Sequence, residues 1–304
     1  MKLRSHVFFW LVVCPLLLGA QPAGLSRSLE LALHNFRGRV GVAVVYGRGD
    51  SLLVAGDTAH SYPLSSVVKF HQALYVLGRA PGCSVSLDSA LTLAPAEMVR
   101  DTWSPLRDRY PRGGVRLTVA DLLRYTLQQS DNVACDALFR RFGSPGRVEA
   151  YVRSLGFHGC RVGATEAEMH ADPSRAAANR STPVDAACLF YEFPVAGWLA
   201  PEAQAFVCDA LLGCTTGTDR LPAGLAGTEA RIGHKTGTGF RDARGRMQGF
   251  NDVGFVLLPD GRRYAMAVFI DDALASDADC AALMARLSAL VFRAFASQPA
   301  EAAR

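Results

Sequence analysis

Apolar and polar positions follow three regimes along this chain. At the N-terminus the basic segment Met1-Lys2-Leu3-Arg4-Ser5-His6 gives way to an apolar run from Val7 to Leu18, followed by the small residues Gly19-Ala20 before Gln21. A basic start, a short apolar stretch and a small-residue exit predict a secretory signal peptide over residues 1–20. The run is short for a membrane span, and Pro15 interrupts it. Cys14 is followed by Pro15 rather than by a mature N-terminus, which argues against a lipoprotein. The expectation is therefore a secreted, periplasmic protein with no membrane attachment after cleavage.

The second regime is strand-like and occurs at both ends of the mature chain. Arg39 to Tyr46 (RVGVAVVY) and Ser51 to Ala55 flank the turn Gly47-Arg48-Gly49-Asp50, and Asp252 to Leu258 and Arg263 to Ile270 flank Pro259-Asp260-Gly261. Both pairs read as hairpins. The third regime, from about Pro63 to Leu212, has helical punctuation. Thr118 caps a helix whose third position is Asp121, with Leu117 set to pack on Leu122. Asn132 to Phe142 forms a helix that stops at Gly143, a residue suited to a left-handed terminator. A last helix, Asp277 to Phe295, puts Leu283, Leu287, Leu290 and Val291 on one face. Strands from both termini around a helical middle predict an α+β fold: one antiparallel sheet built from N- and C-terminal segments, with an all-helical lobe inserted. Residues 21–304 then make a single domain, with an α/β lobe from 21–62 and 215–304 and an all-α lobe from 63–214. A cleft between the lobes is the natural site.

Charge and cysteines remove several function classes. Setting aside Lys2 and Arg4 takes the formal net charge from +4 to +2. The arginines are scattered, and clusters such as Arg140-Arg141 and Arg262-Arg263 read as solvated faces, so no nucleic-acid partner is expected. Seven cysteines follow the leader (Cys83, Cys135, Cys160, Cys188, Cys208, Cys214 and Cys280), and an odd number in an oxidising compartment leaves at least one free. Each reads as a small buried hydrophobe. With no Cys-x-x-Cys, His-x-His or His-Glu-x-x-His spacing, neither a metal site nor another cofactor is expected.

Lysine use changes the picture. Of 32 basic residues only three are lysine, and outside the leader only Lys69 and Lys235 remain. Arginine stays protonated, whereas lysine is a compact donor able to lose its proton when buried. Lys69 stands three residues after Ser66, so the two share a helix face, with Pro63 and Ser65 marking the helix start. A helix N-terminus near Ser66 adds positive potential and free N–H groups suited to an oxyanion. A serine needs such a neighbour, because its hydroxyl is a poor nucleophile until a base takes its proton. Ser130-Asp131-Asn132 reads either as a helix cap or as a loop that aims a hydroxyl and an amide into a cleft. His234-Lys235-Thr236-Gly237-Thr238 reads either as an ordinary edge strand or as a segment whose glycines admit a ligand close to backbone. Each motif is weak alone; the three in this order and at this spacing are specific.

With these motifs the chain resembles the class A serine β-lactamases, from about Leu25 to the C-terminal helix. The resemblance implies an acidic residue on a loop between the second and third motifs, and Thr165-Glu166-Ala167-Glu168-Met169-His170 fits, with Glu166 as hydrolytic base and Glu168 as runner-up. His170 in place of the usual asparagine, with Asn132-Val133-Ala134-Cys135-Asp136 and Thr102-Trp103-Ser104-Pro105, is similar to a cephalosporinase and extended-spectrum subgroup. The roles it implies are Ser66 as the acylated nucleophile, Lys69 as its proton acceptor or network holder, and Ser130 as the relay to the leaving nitrogen. Asn132 would bind the substrate amide, Lys235, Thr236 and Thr238 its carboxylate, and the backbone N–H groups of Ser66 and Thr238 the oxyanion. His170 would help shape the pocket. Arg220 would assist at the carboxylate, with Arg241 and Arg244 as competitors. Whether Lys69 or Glu166 is the acylation base stays open. The arginine and aspartate that close the glutamate loop in many relatives are here Ala164 and Asn179. The implied protein is a monomer acting on small β-lactams. The alternatives are a penicillin-binding D-Ala-D-Ala peptidase, which shares the motifs but lacks the deacylating carboxylate, and a non-catalytic β-lactam sensor.

Overall fold

The computed structural model describes residues 24–78 and 85–298, so the expected signal peptide and Cys83 lie outside the described residues. Along the chain run α1 (Leu25–Leu33), β1 (Arg39–Tyr46), β2 (Ser51–Gly56), β3 (Tyr62–Pro63), α2 (Val68–Leu77), β4 (Ala90–Leu93), α3 (Pro105–Arg109) and β5 (Val115–Thr118). Next come α4 (Val119–Gln128), α5 (Asn132–Phe142), α6 (Pro145–Ser154), α7 (Glu166–Ala171), β6 (Arg180–Ser181), α8 (Pro183–Glu192) and α9 (Pro201–Leu212). The described chain closes with β7 (Arg231–Arg241), β8 (Met247–Leu257), β9 (Arg263–Asp271) and α10 (Asp277–Ala296).

Five strands form one antiparallel sheet in the order β2-β1-β9-β8-β7, so the two terminal hairpins meet where β1 pairs with β9, Val42 opposite Val268. That is the α+β architecture expected. The apolar run of β1 is nearly continuous because both faces of the sheet are covered. Ala43 and Val45 join the core of the helical block, while Val42, Val44 and Tyr46 join a second core beneath α1 and α10. On α10, Leu283, Leu287 and Val291 are buried as the spacing predicts, with Leu290 at the margin.

At the centre of the helical block lies α2, whose ten residues are all buried. Such a helix, buried on every side, carries Lys69, His71 and Gln72 into the interior along with its apolar residues. Thr118 and Asp121 form the expected capping box on α4.

Four local expectations are corrected. Pro63 does not open the serine helix; it lies in β3, paired with Arg180, and a 3-10 turn at Ser65–Val67 precedes α2. Strand β8 starts at Met247, because Gln248 and Phe250 extend the pairing with β7 up to the cleft. Gly143 ends α5 at φ 150° rather than in the left-handed helical region, and a Cβ there would strike the Tyr75 hydroxyl. The arginine pairs are not merely solvated: Arg140 and Arg141 both bind Glu97, at 2.8 and 3.0 Å.

Candidate active site

Ser66 and Lys69 are brought together by the change from 3-10 turn to α2. The turn packs against β7, where a Cβ on Gly237 would come 2.5 Å from the Leu64 carbonyl oxygen, so only glycine admits this approach. Ser65, immediately before Ser66, sits at φ 46°, and Ser130 at φ 57°. Left-handed conformations at non-glycine residues cost energy and persist where the surroundings over-determine them. Among the described residues only Asp272 shares that property.

The three motifs converge on a cleft of about 720 Å³ lined by Ser66, Ser130, Asn132, Glu166, His170, Arg220, Thr236 and Thr238, together with Trp103 and Thr216. Lys69 and Lys235 lie immediately behind this wall, each 0 % exposed. Lys69 Nζ donates to Ser66 Oγ at 2.9 Å, to the Ser130 carbonyl at 2.7 Å and to Asn132 Oδ1 at 2.6 Å. Its ion pair with Glu166 Oε1 is 3.0 Å, and the Ser66 hydroxyl is 3.4 Å from that same oxygen. One ammonium thus touches nucleophile and carboxylate together. Lys235 Nζ donates to Ser130 Oγ at 2.9 Å, so Ser130 is held between the two lysines. Burial pushes Lys235 down to about 7 from its ordinary range near 10.5, with the nearby Cys214 sulfur opposing that shift and Lys69 adding to it.

In Ser130-Asp131-Asn132 the cap and the cleft readings both hold, divided between residues. Buried Asp131 accepts from Ala134 N at 2.8 Å as the cap of α5, and also from Ser104 Oγ at 2.9 Å and Leu106 N at 2.7 Å. Ser130 and Asn132 face the cleft instead, with Asn132 Nδ2 donating to Thr102 Oγ1 at 2.7 Å. The third motif is likewise both things at once: β7 is the edge of the sheet, and Thr236 and Thr238 line the cleft from it.

On the glutamate loop the runner-up is occupied elsewhere. Glu168 Oε2 accepts from Thr165 N at 2.9 Å in the capping box of α7, and the same side chain pairs with Arg175 at 3.4 Å. Asn179 replaces the missing bridge with hydrogen bonds: its Oδ1 accepts from Gly163 N at 2.9 Å and Ala164 N at 3.0 Å, and its Nδ2 donates to the Ala164 carbonyl at 2.9 Å. Asp136 accepts from Glu166 N at 3.0 Å and Ala167 N at 2.9 Å, gripping the first turn of α7. Burial, and then the Glu166 charge, push Asp136 up to about 6. Sequence reasoning gave Asp136 no role; its signal was a lone charge within the apolar stretch Val133 to Phe139 of α5.

Arg220 donates to the carbonyls of Gly237 at 3.0 Å and Asn251 at 2.8 Å and to Thr238 Oγ1 at 2.6 Å, and it stacks 3.7 Å over Phe250. Its competitors lie away from the cleft, Arg241 paired with Asp277 and Arg244 in the turn at Asp242.

Comparison with known proteins gives this geometry its context. The family model described as the β-lactamase enzyme family matches residues 24–295. A β-lactamase from Bacteroides uniformis is 34% identical over 275 residues, covering 90% of this chain and 92% of the relative. This chain belongs to the class A β-lactamase family. The extended-spectrum β-lactamase PER-1 of Pseudomonas aeruginosa is 32% identical over 274 residues, covering 90% of this chain and 88% of that one. The crystal structure of a class A β-lactamase from Bacteroides cellulosilyticus superposes with a TM-score of 0.86 at 32% identity, covering 91% of this chain and 99% of the other. The extended-spectrum β-lactamase TLA-3 does so with 0.86 at 31%, covering 90% and 98%. The enzyme therefore hydrolyses the β-lactam ring of antibiotics and confers resistance to them.

Proposed function

We propose that hydrolysis runs through an acyl-enzyme on Ser66. The observation that carries this reading is Lys69 Nζ lying 2.9 Å from Ser66 Oγ and 3.0 Å from Glu166 Oε1. The serine proton leaves into this lysine–carboxylate pair as Oγ attacks the lactam carbonyl, and the backbone N–H groups of Ser66 and Thr238 hold the oxyanion. Ser130, bonded to both lysines, passes a proton to the departing nitrogen. Glu166 then activates water against the ester. Lys235, Thr236 and Thr238 receive the substrate carboxylate, with Arg220 holding Thr238 in place, and Asn132 receives the side-chain amide. Trp103 and His170, both exposed on the cleft rim, shape the pocket.

The finer class we infer is a cephalosporinase of extended spectrum, exported to the periplasm. It is supported by His170, Ala164 and Asn179 on the glutamate loop and by the likeness to PER-1. The dedicated carboxylate weighs against the peptidase and sensor alternatives, neither of which rapidly hydrolyses its β-lactam adduct. Ser66→Ala is the direct test: intact-protein mass spectrometry should show no penicilloyl adduct. Labelling at another serine overturns the assignment. Comparing kcat/KM for an oxyimino-cephalosporin and a penicillin tests the subgroup.

A further inference from the structure

Cys214 does not fit the reading of the cysteines as inert core residues. It lies two residues after α9, half-buried behind the carboxylate side of the cleft, and it is a free thiol. His234 of β7 lies close enough to the sulfur for its charge to favour the thiolate. His234 Nδ1 is in turn 2.8 Å from Oδ1 of Asp252 on β8, both side chains being buried. On its other side the sulfur is 3.4 Å from the Thr216 hydroxyl, which is 2.6 Å from the Thr236 hydroxyl. Thr216 and Thr236 line the cleft. A cysteine, an imidazole and a carboxylate in sequence form the arrangement that activates a sulfur nucleophile, since the carboxylate holds the imidazole as a cation and the cation favours the thiolate. The hydrolytic mechanism uses none of the three.

Among the described residues the other free thiols lack such a partner. Burial alone would raise Cys214, but the nearby His234 imidazole, followed by the Lys235 charge, brings it down to about 7. Burial opposes the charged form of His234 as well, and Asp252 overrides it to raise the imidazole to about 10. By contrast, burial pushes Cys160 up to about 12 and Cys188, Cys208 and Cys280 up to about 11, and it raises Cys135 well above the ordinary thiol range.

We propose that Cys214 is a second covalent site of this enzyme, a nucleophile for small soft electrophiles whose occupation slows β-lactam turnover through Thr216 and Thr236. In the step probed with iodoacetamide, an electron pair of the anionic sulfur forms a bond to the methylene carbon. The carbon–iodine bond breaks, iodide leaves with its electron pair, and no proton needs to move. Because the sulfur already touches the Thr216 hydroxyl, the added acetamide group crowds Thr216 and through it the hydrogen bond to Thr236.

The experiment treats the native enzyme with iodoacetamide. Adducts are counted by intact mass, located by peptide mapping, and compared with cephalosporin turnover on the same aliquots. The first adduct should fall on Cys214, and kcat/KM should decline about tenfold at the rate of labelling. Cys214→Ser should form no adduct in that time, and its turnover should be insensitive to the reagent; His234→Asn should slow labelling of Cys214. Should Cys214→Ser fail to fold, the equality of labelling and inactivation rates in the parent still decides the matter. A first adduct on Cys83 or any other cysteine, or full labelling of Cys214 with turnover unchanged, overturns the proposal. The turnover arm rests on the reading of the cleft as the β-lactam site. The adduct is read by mass, so a failure of the cleft reading is seen separately.

Discussion

At the scale of single residues, the two lysines have different tasks in the proposed mechanism, and only Lys69 needs an amine rather than a charge. In the proposed mechanism Lys69 shares a proton between Ser66 and Glu166 inside a fully buried helix. Lys69→Arg keeps the charge but not the compact amine, and it should lose most of the acylation rate, measured as the pre-steady-state burst. Lys235 is different, because its position calls only for positive charge beside Ser130 and Thr236. Burial has brought it down to about 7, so it is cationic below that pH and loses its charge as the pH rises through it. KM for an anionic penicillin should therefore rise severalfold between pH 6 and pH 9, while Lys235→Arg should show a flat profile and retain appreciable activity. A flat profile in the parent would contradict the assignment. Glu166→Ala tests the remaining role. Loss of a general base corresponds to roughly 10²–10⁴ in rate, so the variant should accumulate an acyl-enzyme whose mass increase equals that of the bound β-lactam.

At the scale of elements, α7 and the loop around it are held by hydrogen bonds rather than by an ion pair. Asn179 makes bonds to both sides of Ala164, and Asp136 accepts two N–H groups at the start of α7. Removing a buried acceptor leaves those donors unsatisfied at about 1–3 kcal/mol each. Asn179→Ala and Asp136→Ala should each lower the thermal midpoint by several degrees. Both should slow deacylation more than acylation, because the nucleophile sits on a different element. A variant whose acylation and deacylation fell equally would show that the loop supports Ser66 as well. Replacing Glu168 should cost stability through the lost capping box, with deacylation largely kept.

At the scale of the whole molecule, the sheet separates the two large cores. The core beneath α10 is closed by Leu287, which is fully buried against the face of the sheet turned away from the site. Leu287→Ala should cost about 2–5 kcal/mol through the cavity it leaves, seen as a fall in the denaturant midpoint. At temperatures where the variant is folded, kcat/KM should stay close to that of the parent. A matching loss of turnover would mean that the two cores are coupled through β7 and β8.

Periodicity and spacing determined much of this. The apolar runs of Arg39 to Tyr46 and Arg263 to Ile270, the capping pair Thr118 and Asp121, and the stripe along α10 are local patterns whose burial needs no knowledge of partners. The scarcity of lysine singled out Lys69 and Lys235, because a residue type the chain otherwise avoids is kept only where its chemistry is required. Other matters were decided by tertiary contacts. Asp131 and Asn132 are neighbours with similar side chains, yet one caps a helix and the other faces the cleft, because pairing with Ser104 and Leu106 fixes which way the loop turns. Glu166 and Glu168 are alike in sequence, and only the capping box separates them. Asp136, Asn179 and Cys214 gained their meaning from groups 15 to 30 residues or more away, Glu166, Ala164 and His234 among them. Hydrogen bonds and charge shifts at that separation depend on distances of a few ångströms, and those arise only once the helical block has closed against the sheet.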